Sequence, residues 1–183
     1  MTPTENLIQE HKIINELLGI MSKIAKKIKS NKVFYANDIE DIMIFLKNFI
    51  EKSHHGKEEI FYPLLMVEEI PIESEIISHM LYEHVLTRNY LEDINSCIEN
   101  CKIGNAFSVE LLAETLLNYV VLERNHLNKE LNIIYPIAND NLSERKQNEI
   151  QKQFERLDEI IEAHRFIDNY YSLLKDLKIK YPD

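Results

Sequence analysis

Residues 53–63 read SHHGKEEIFYP, and residues 125–136 repeat the pattern as NHLNKELNIIYP. In each stretch a histidine is followed four residues later by a glutamate; the pairs are His54 with Glu58 and His126 with Glu130. Residues four apart share one face of an α-helix. Apolar residues such as Ile50 and Phe61 continue the first pair along the same face. The two stretches therefore predict two helices that each carry a histidine and a glutamate into a protein core.

A second pair of stretches repeats in the same way. QEHKIINELL at 9–18 parallels YEHVLTRNYL at 82–91, which places His11 and His84 on apolar helix faces. His11 precedes His54 by 43 residues, and His84 precedes His126 by 42. The chain therefore contains two similar halves, each with two histidines and one glutamate on buried lines.

The amino-acid composition, with few glycines and prolines to break helices, predicts an all-α fold. The 183 residues include only 3 Gly and 5 Pro, and 45% are hydrophobic, which favours long helices in one domain over 1–183. Helices are predicted to start at Thr2-Pro3, at Asp38, after Pro71 and at Ser108, with Pro136 ending the fourth. We expect an up-down-up-down four-helix bundle with its core at about 4–137, and an additional C-terminal helix at about 143–178.

Helix lengths bring the four histidines to one level of this bundle. From His11 the chain descends about 28 Å to Ser30 and climbs about 24 Å from Asp38 to His54, at about 1.5 Å per residue. The same estimate applies to His84 and His126. Six polar side chains therefore converge in the core, where burying them without partners would cost several kcal/mol.

A pair of divalent metal ions is the simplest compensation, because imidazoles supply one donor each and two carboxylates can bridge both ions. The alternative is a hydrogen-bonded His/Glu network without metal. The predicted ligands are His11, His54, Glu58, His84, His126 and Glu130. His55 follows a polar line and is a second-rank candidate, while Glu59 is expected to point outward.

The pattern resembles the hemerythrin-like (HHE, cation-binding) family, in which His, His-x-x-x-Glu, His and His-x-x-x-Glu lie on four helices. The resemblance covers about residues 5–137 and rests on HHGKEE before an aromatic-Pro and on EH near two helix starts. It implies two iron ions in an oxo- or hydroxo-bridged centre, with the four histidines as terminal ligands and the two glutamates as bridges. The chain departs from oxygen-carrying hemerythrins, which have an extra histidine pair on the third helix and an Asp ligand on the fourth. It looks closer to the iron-sensing and iron-centre-repair branches.

A rival interpretation is a ferritin-like carboxylate oxidase or iron-storage site, because Glu51 and Glu123 each precede a histidine by three residues and Glu10 and Glu83 could complete the set. Against it, Glu51 and Glu123 are predicted to lie off the apolar lines. Within the favoured interpretation we expect a protein that binds or senses O2, NO, peroxide or iron, with links to oxidative or nitrosative stress or iron homeostasis. A redox or repair enzyme and an oxygen store remain open alternatives.

Net charge and the length of the apolar runs limit the possible partners and the cellular location of the protein. The net charge of -10 argues against nucleic acid and anionic membranes, and the apolar runs are too short to span a bilayer, so a cytoplasmic location is expected. Cys97 and Cys101 are predicted to be free thiols. Three further residues are expected to lie away from the metals: His79 in solvent, Tyr119 in the core and His164 in packing contacts beyond the site's level.

Overall fold

The computed structural model describes residues 1–31 and 35–182, apart from the side chains of 164–168. Within those ranges the chain forms six helices and no strand, which confirms the all-α prediction. The helices are α1 (Pro3–Asn31), α2 (36–67), α3 (Ser74–Lys102), α4 (106–141), α5 (Glu144–Ile160) and α6 (Ala163–Lys180). The first four form the bundle, and α5 and α6 pack against it.

The helix starts follow the predicted chemistry with small shifts. At α1 the Thr2 backbone N–H donates to Glu5 Oε2 at 2.8 Å, and the Glu5 N–H donates to Thr2 Oγ1 at 3.1 Å, which is a capping box. Ser108 was expected to cap the fourth helix, but the Asn105 side chain accepts from the Phe107 N–H instead. Asn is as good a cap as Ser, so α4 begins three residues earlier. The second helix, α2, also begins before the predicted Asp38, at Ala36, and its N-cap residue Tyr35 makes no side-chain cap hydrogen bond.

Two bundle helices contain π-helical segments. α2 runs through Ala36–Phe45, the π segment Leu46–His54 and then His55–Val67. α4 runs through Ala106–Lys129, the π segment Glu130–Ile134 and then Tyr135–Asn141. A π turn holds more residues than an α turn, so it rotates the residues that follow it to a different face.

The second π segment also overturns the prediction that Pro136 ends the fourth helix. Pro136 lies in the first turn of the Tyr135–Asn141 segment, where a missing N–H removes little hydrogen bonding. The Tyr135 N–H donates five residues back, to the Glu130 carbonyl. The helix therefore continues past the proline to Asn141.

The single C-terminal helix expected at about 143–178 is divided in two. α5 ends at Ile160 and α6 begins at Ala163. Between them Glu162 adopts the left-handed conformation, with φ 53° and ψ 44°, through which a right-handed helix does not continue. The break lets α5 pack on the second half of α2, where Phe154 meets Phe61 at a ring-centroid distance of 6.3 Å. It also lets α6 reach the first half of α2.

The core consists of two apolar clusters separated by a polar layer. One cluster includes Ile14, Ile50 and Leu116, and the other includes Leu7 and Phe61. The predicted ligands lie between the two, so each bundle helix passes from apolar to polar and back to apolar. Among the described residues, no helix is long and apolar enough to cross a membrane.

Candidate metal centre

The polar layer contains two adjoining groups of side chains suited to hold a metal ion. The first group is His11, His54, Glu58 and Glu130, and the second is His55, Glu58, His84 and His126. Within each group, one ligand atom from each residue lies within 4.8 Å of the others. Glu58 belongs to both groups, and none of the seven residues is more than 2% exposed. The structure thus brings together all six predicted ligands and the second-rank His55.

The two glutamates lie between two pairs of imidazoles. The carboxylate of Glu58 places Oε1 3.1 Å from His54 Nε2 and Oε2 3.1 Å from His84 Nε2. Glu130 places Oε2 3.1 Å from His11 Nε2 and Oε1 3.4 Å from His126 Nε2. Each carboxylate therefore faces both histidine pairs, as a bridging ligand must.

Some buried atoms of the layer lack a hydrogen-bond partner within the described part of the chain, and others lie close together at its centre. His54 Nε2 and Glu130 Oε2 have no hydrogen-bond partner among the described residues although both are fully buried. The Nε2 atoms of His84 and His126 face each other at 3.2 Å, and both lie within 3.6 Å of Glu58 Oε2. Buried nitrogen and oxygen donors that converge in this way fit a divalent cation.

A second pair of glutamates holds the outer nitrogens of two predicted ligands. Glu10 Oε2 lies 2.8 Å from His54 Nδ1, and Glu83 Oε2 lies 2.9 Å from His126 Nδ1. A carboxylate on Nδ1 fixes the ring and leaves the Nε2 lone pair for a metal. The sequence carried a signal for this role, because both glutamates immediately precede a histidine in the repeated EH pair.

Lysines complete these outer pairs. Lys57 donates to Glu10, and Lys129 donates to Glu83. Each lysine follows its histidine by three residues in the repeated stretches, so the two halves use the same His–Glu–Lys arrangement.

Two tyrosines connect the halves in a crossed manner. The hydroxyl of Tyr62 donates to Glu130, whereas that of Tyr135 donates to Glu58 Oε1 at 3.0 Å. Tyr62 follows Glu58 by four residues and Tyr135 follows Glu130 by five. The π segment Glu130–Ile134 accommodates the extra residue, so both hydroxyls reach equivalent positions. Sequence analysis missed these donors, although a Tyr-Pro pair closes both stretches.

His55 is fully buried, which corrects its placement on a polar line. Its ring stacks on His84 with centroids 4.1 Å apart, and its Nε2 lies 3.3 Å from Glu123 Oε1. The π segment Leu46–His54 ends immediately before it, and the wide turn directs both adjacent histidines inward. Glu123 is also fully buried, so the prediction that it lies off the buried face is wrong.

The ferritin-like interpretation does not fit this geometry. Glu10 and Glu83 lie on the outer nitrogens of His54 and His126, and Glu51 and Glu123 contact His55. None of the four carboxylates belongs to either of the two groups found among the described residues. They support imidazoles rather than form a carboxylate-rich site.

Charges within the layer shift the pKa values of its members. Burial alone lowers the pKa of His54, but the carboxylates of Glu58 and Glu10 raise it more, leaving it well above its usual value. Burial likewise lowers the pKa of His55, and the charge of Glu123 outweighs it and raises the pKa to about 9. Burial raises the pKa of Glu58, but His54 and its neighbours hold it well below its ordinary value. Without metal, the neighbouring carboxylates therefore favour the charged forms of His54 and His55.

The tyrosines remain donors in this environment. Burial, together with the charges of Glu130 and Glu58, raises the pKa of Tyr62 and of Tyr135 well above the ordinary value. Both hydroxyls therefore stay protonated and hold the carboxylate oxygens they contact.

Other predicted positions are found at the edges of the site. The His79 side chain is 60% exposed and lies 3.2 Å from Glu83, in agreement with a solvated residue. Tyr119 is fully buried in the apolar cluster, and its hydroxyl has no partner among the described residues. Cys97 and Cys101 are buried free thiols. The prediction for the side chain of His164 lies outside the described residues.

Comparison with known proteins gives one match. A family model described as Hemerythrin HHE cation binding domain matches residues 2–138. No curated protein and no solved structure matches the chain. The matched region contains all seven residues of the two groups and ends before α5.

Proposed function

Because the chain belongs to the hemerythrin HHE cation-binding domain family, we propose that it is a non-haem di-iron protein that binds or senses a small molecule such as O2 or NO. The observation that carries the proposal is the pair of buried groups joined by Glu58. Two separate ion sites would not need a carboxylate in common. The presence of Glu58 in both groups therefore supports two ions held side by side.

The ligand set follows from the two groups. His11 and His54 would hold one ion and His84 and His126 the other, with Glu58 shared by both groups. Glu130 would be the second bridge, because its two oxygens face His11 and His126. Imidazole and carboxylate donors suit iron better than the softer metals that prefer thiolates. His55 gives the second ion an additional nitrogen that the first does not have.

The proposed ligand is small because the site is closed. Each of the seven residues is at least 98% buried, so a bulky organic substrate has no surface on which to meet the ligand atoms. When bound, the iron pair supplies open coordination positions for small molecules. The protein's own residues then exclude water, orient the imidazoles through Glu10 and Glu83, and hold the bridging carboxylates through Tyr62 and Tyr135.

Metal analysis tests the first part of the proposal. Protein expressed with ample iron and purified anaerobically is expected to contain about two iron ions per chain. His11→Ala and His84→Ala should each lower that content, while His79→Ala is a matched control because His79 is exposed and lies outside both groups. One zinc ion per chain, or equal iron loss in all three variants, would contradict a di-iron centre.

Titration with gases tests the second part. The reduced, iron-loaded protein is titrated anaerobically with O2 and separately with NO while its absorption spectrum is recorded. We expect a saturable spectral change with at least one of the two. A spectrum that is unchanged by both would mean that the centre is structural and does not sense these gases.

A further inference from the structure

We propose that Asp158 is a positioning residue for the metal ligand His54, and that it makes the two ion positions unequal. The inference rests on the proposed di-iron function. Asp158 lies on α5, beyond residue 138 where the family match ends. A residue outside the matched domain would thus take part in holding a ligand inside it.

A continuous chain of contacts leads from Asp158 to His54. Asp158 Oδ2 accepts from Lys57 Nζ at 2.8 Å, and Lys57 in turn donates to Glu10. Glu10 Oε2 lies 2.8 Å from His54 Nδ1. Lys57 is only 2% exposed, and its ammonium is held between the carboxylates of Glu10 and Asp158, whose side chains are 11% and 31% exposed.

The backbone of α5 is held close to α2 at this point. Ser53 donates to Asp158 Oδ1 at 3.1 Å. At Gly56, a Cβ atom would lie 3.1 Å from Leu157 Cδ2, so a larger residue would crowd the packing of α5. Asp158 therefore reaches Lys57 because α5 lies directly over the turn that carries His54.

The other half of the site has no such support in the described part of the chain. Lys129 corresponds to Lys57 and pairs with Glu83, but its side chain is 28% exposed and no second carboxylate is found on it there. The outer contact of Glu83 is instead His79, which is 60% exposed. The lysine of the His–Glu–Lys arrangement is thus buried on the His54 side and partly exposed on the His126 side.

The consequence concerns how firmly each imidazole is oriented. A lysine fixed between two carboxylates restricts the motion of Glu10 and so of His54. On the other side Glu83 contacts Lys129 and His79, whose side chains are 28% and 60% exposed, and neither contacts a second carboxylate among the described residues. We therefore expect substitution of Asp158 to weaken binding of the ion held by His11 and His54. Binding of the other ion should not change.

The test compares Asp158→Ala with Glu155→Ala. Glu155 lies on the same helix, is exposed, and accepts only from Gln151 among the described residues, so its variant controls for loss of one negative charge on α5. In metal-free, histidine-labelled protein, nuclear magnetic resonance measures solvent exchange of the Nδ1 protons. Asp158→Ala should speed exchange at His54 about tenfold and leave His126 unchanged, and Glu155→Ala should change neither.

Titration with Co²⁺ alone provides the second measurement. Mutation of groups that support a ligand lowers metal affinity about 10- to 100-fold, and Asp158 acts through two intermediates, so we expect a loss of about tenfold at one of two ions. Equal changes at both histidines or both ions, or no change at either, would overturn the proposal. If the protein binds no Co²⁺, the di-iron function fails, while proton exchange at His54 still decides the role of Asp158.

Discussion

Replacing Glu58 with Gln tests the centre most directly, because the change keeps the side chain's shape and removes the charge shared by both groups. In the metal-free protein this carboxylate lies 3.1 Å from His54 Nε2 and His84 Nε2 and accepts from Tyr135 at 3.0 Å. Removing one partner of a buried ion pair costs about 3–5 kcal/mol. For a chain of this size we expect the melting temperature to fall by roughly 6–20 °C.

Glu59→Gln is the matched control one residue away. The Glu59 side chain is 40% exposed and pairs with Arg88, which is 43% exposed, so its removal should cost about 1 kcal/mol or less. Glu59 also lies 3.3 Å from His84 Nδ1, on the outer side of that ring. Loss of such an outer contact should weaken metal binding by about tenfold without abolishing it.

The assay pairs calorimetry of both metal-free variants with iron analysis of both loaded variants. Glu58→Gln should hold fewer than one iron per chain, because it removes a ligand from both groups, and Glu59→Gln should still hold about two. Equal iron loss and equal destabilisation in the two variants would refute the assignment of Glu58 as the shared ligand.

Two further predictions concern the tyrosines and pH. Tyr135→Phe removes the buried hydroxyl that donates to Glu58 Oε1 and should cost about 1–3 kcal/mol by calorimetry. Tyr119→Phe is the control and should be neutral or stabilising, since its buried hydroxyl has no partner among the described residues. Comparable losses in both variants would contradict the crossed contact. In the metal-free protein the pKa of His55 is raised to about 9. The stability it contributes, about 3 kcal/mol, should be present below about pH 6.5 and lost as the pH rises through 9; a melting temperature that stays constant or rises from pH 7 to 10 would contradict this.

The sequence was sufficient to predict the bundle and the convergence of six polar side chains. The reason is that apolar residues at spacings of three and four continue through each histidine and glutamate, as in the line from Ile50 to Phe61. Helix length alone then placed His11 level with His54, and the two rings lie 5.0 Å apart.

Features that depend on a change of helical period could not be predicted in this way. His55 was placed outward because a uniform period was assumed, whereas the π segment Leu46–His54 turns it inward to meet Glu123. Glu123 lies in the α-helical segment Ala106–Lys129, so its burial reflects packing against His55 and not a change of period. The crossed tyrosines were missed for the related reason that Tyr135 is offset by one residue from Tyr62. No glycine or proline at the break near Glu162 indicates in the sequence that a helix ends there.

The crossed tyrosines have a consequence for how the chain unfolds. Tyr62 supports a carboxylate of the second half, and Tyr135 supports one of the first. If either half detaches, the other is left with a buried carboxylate lacking its donor, at a cost of about 1–3 kcal/mol or more for a charged group. Opening one helical hairpin therefore also destabilises the other hairpin. The duplicated chain should behave as one cooperative unit, and a protease should find either both hairpins closed or both open.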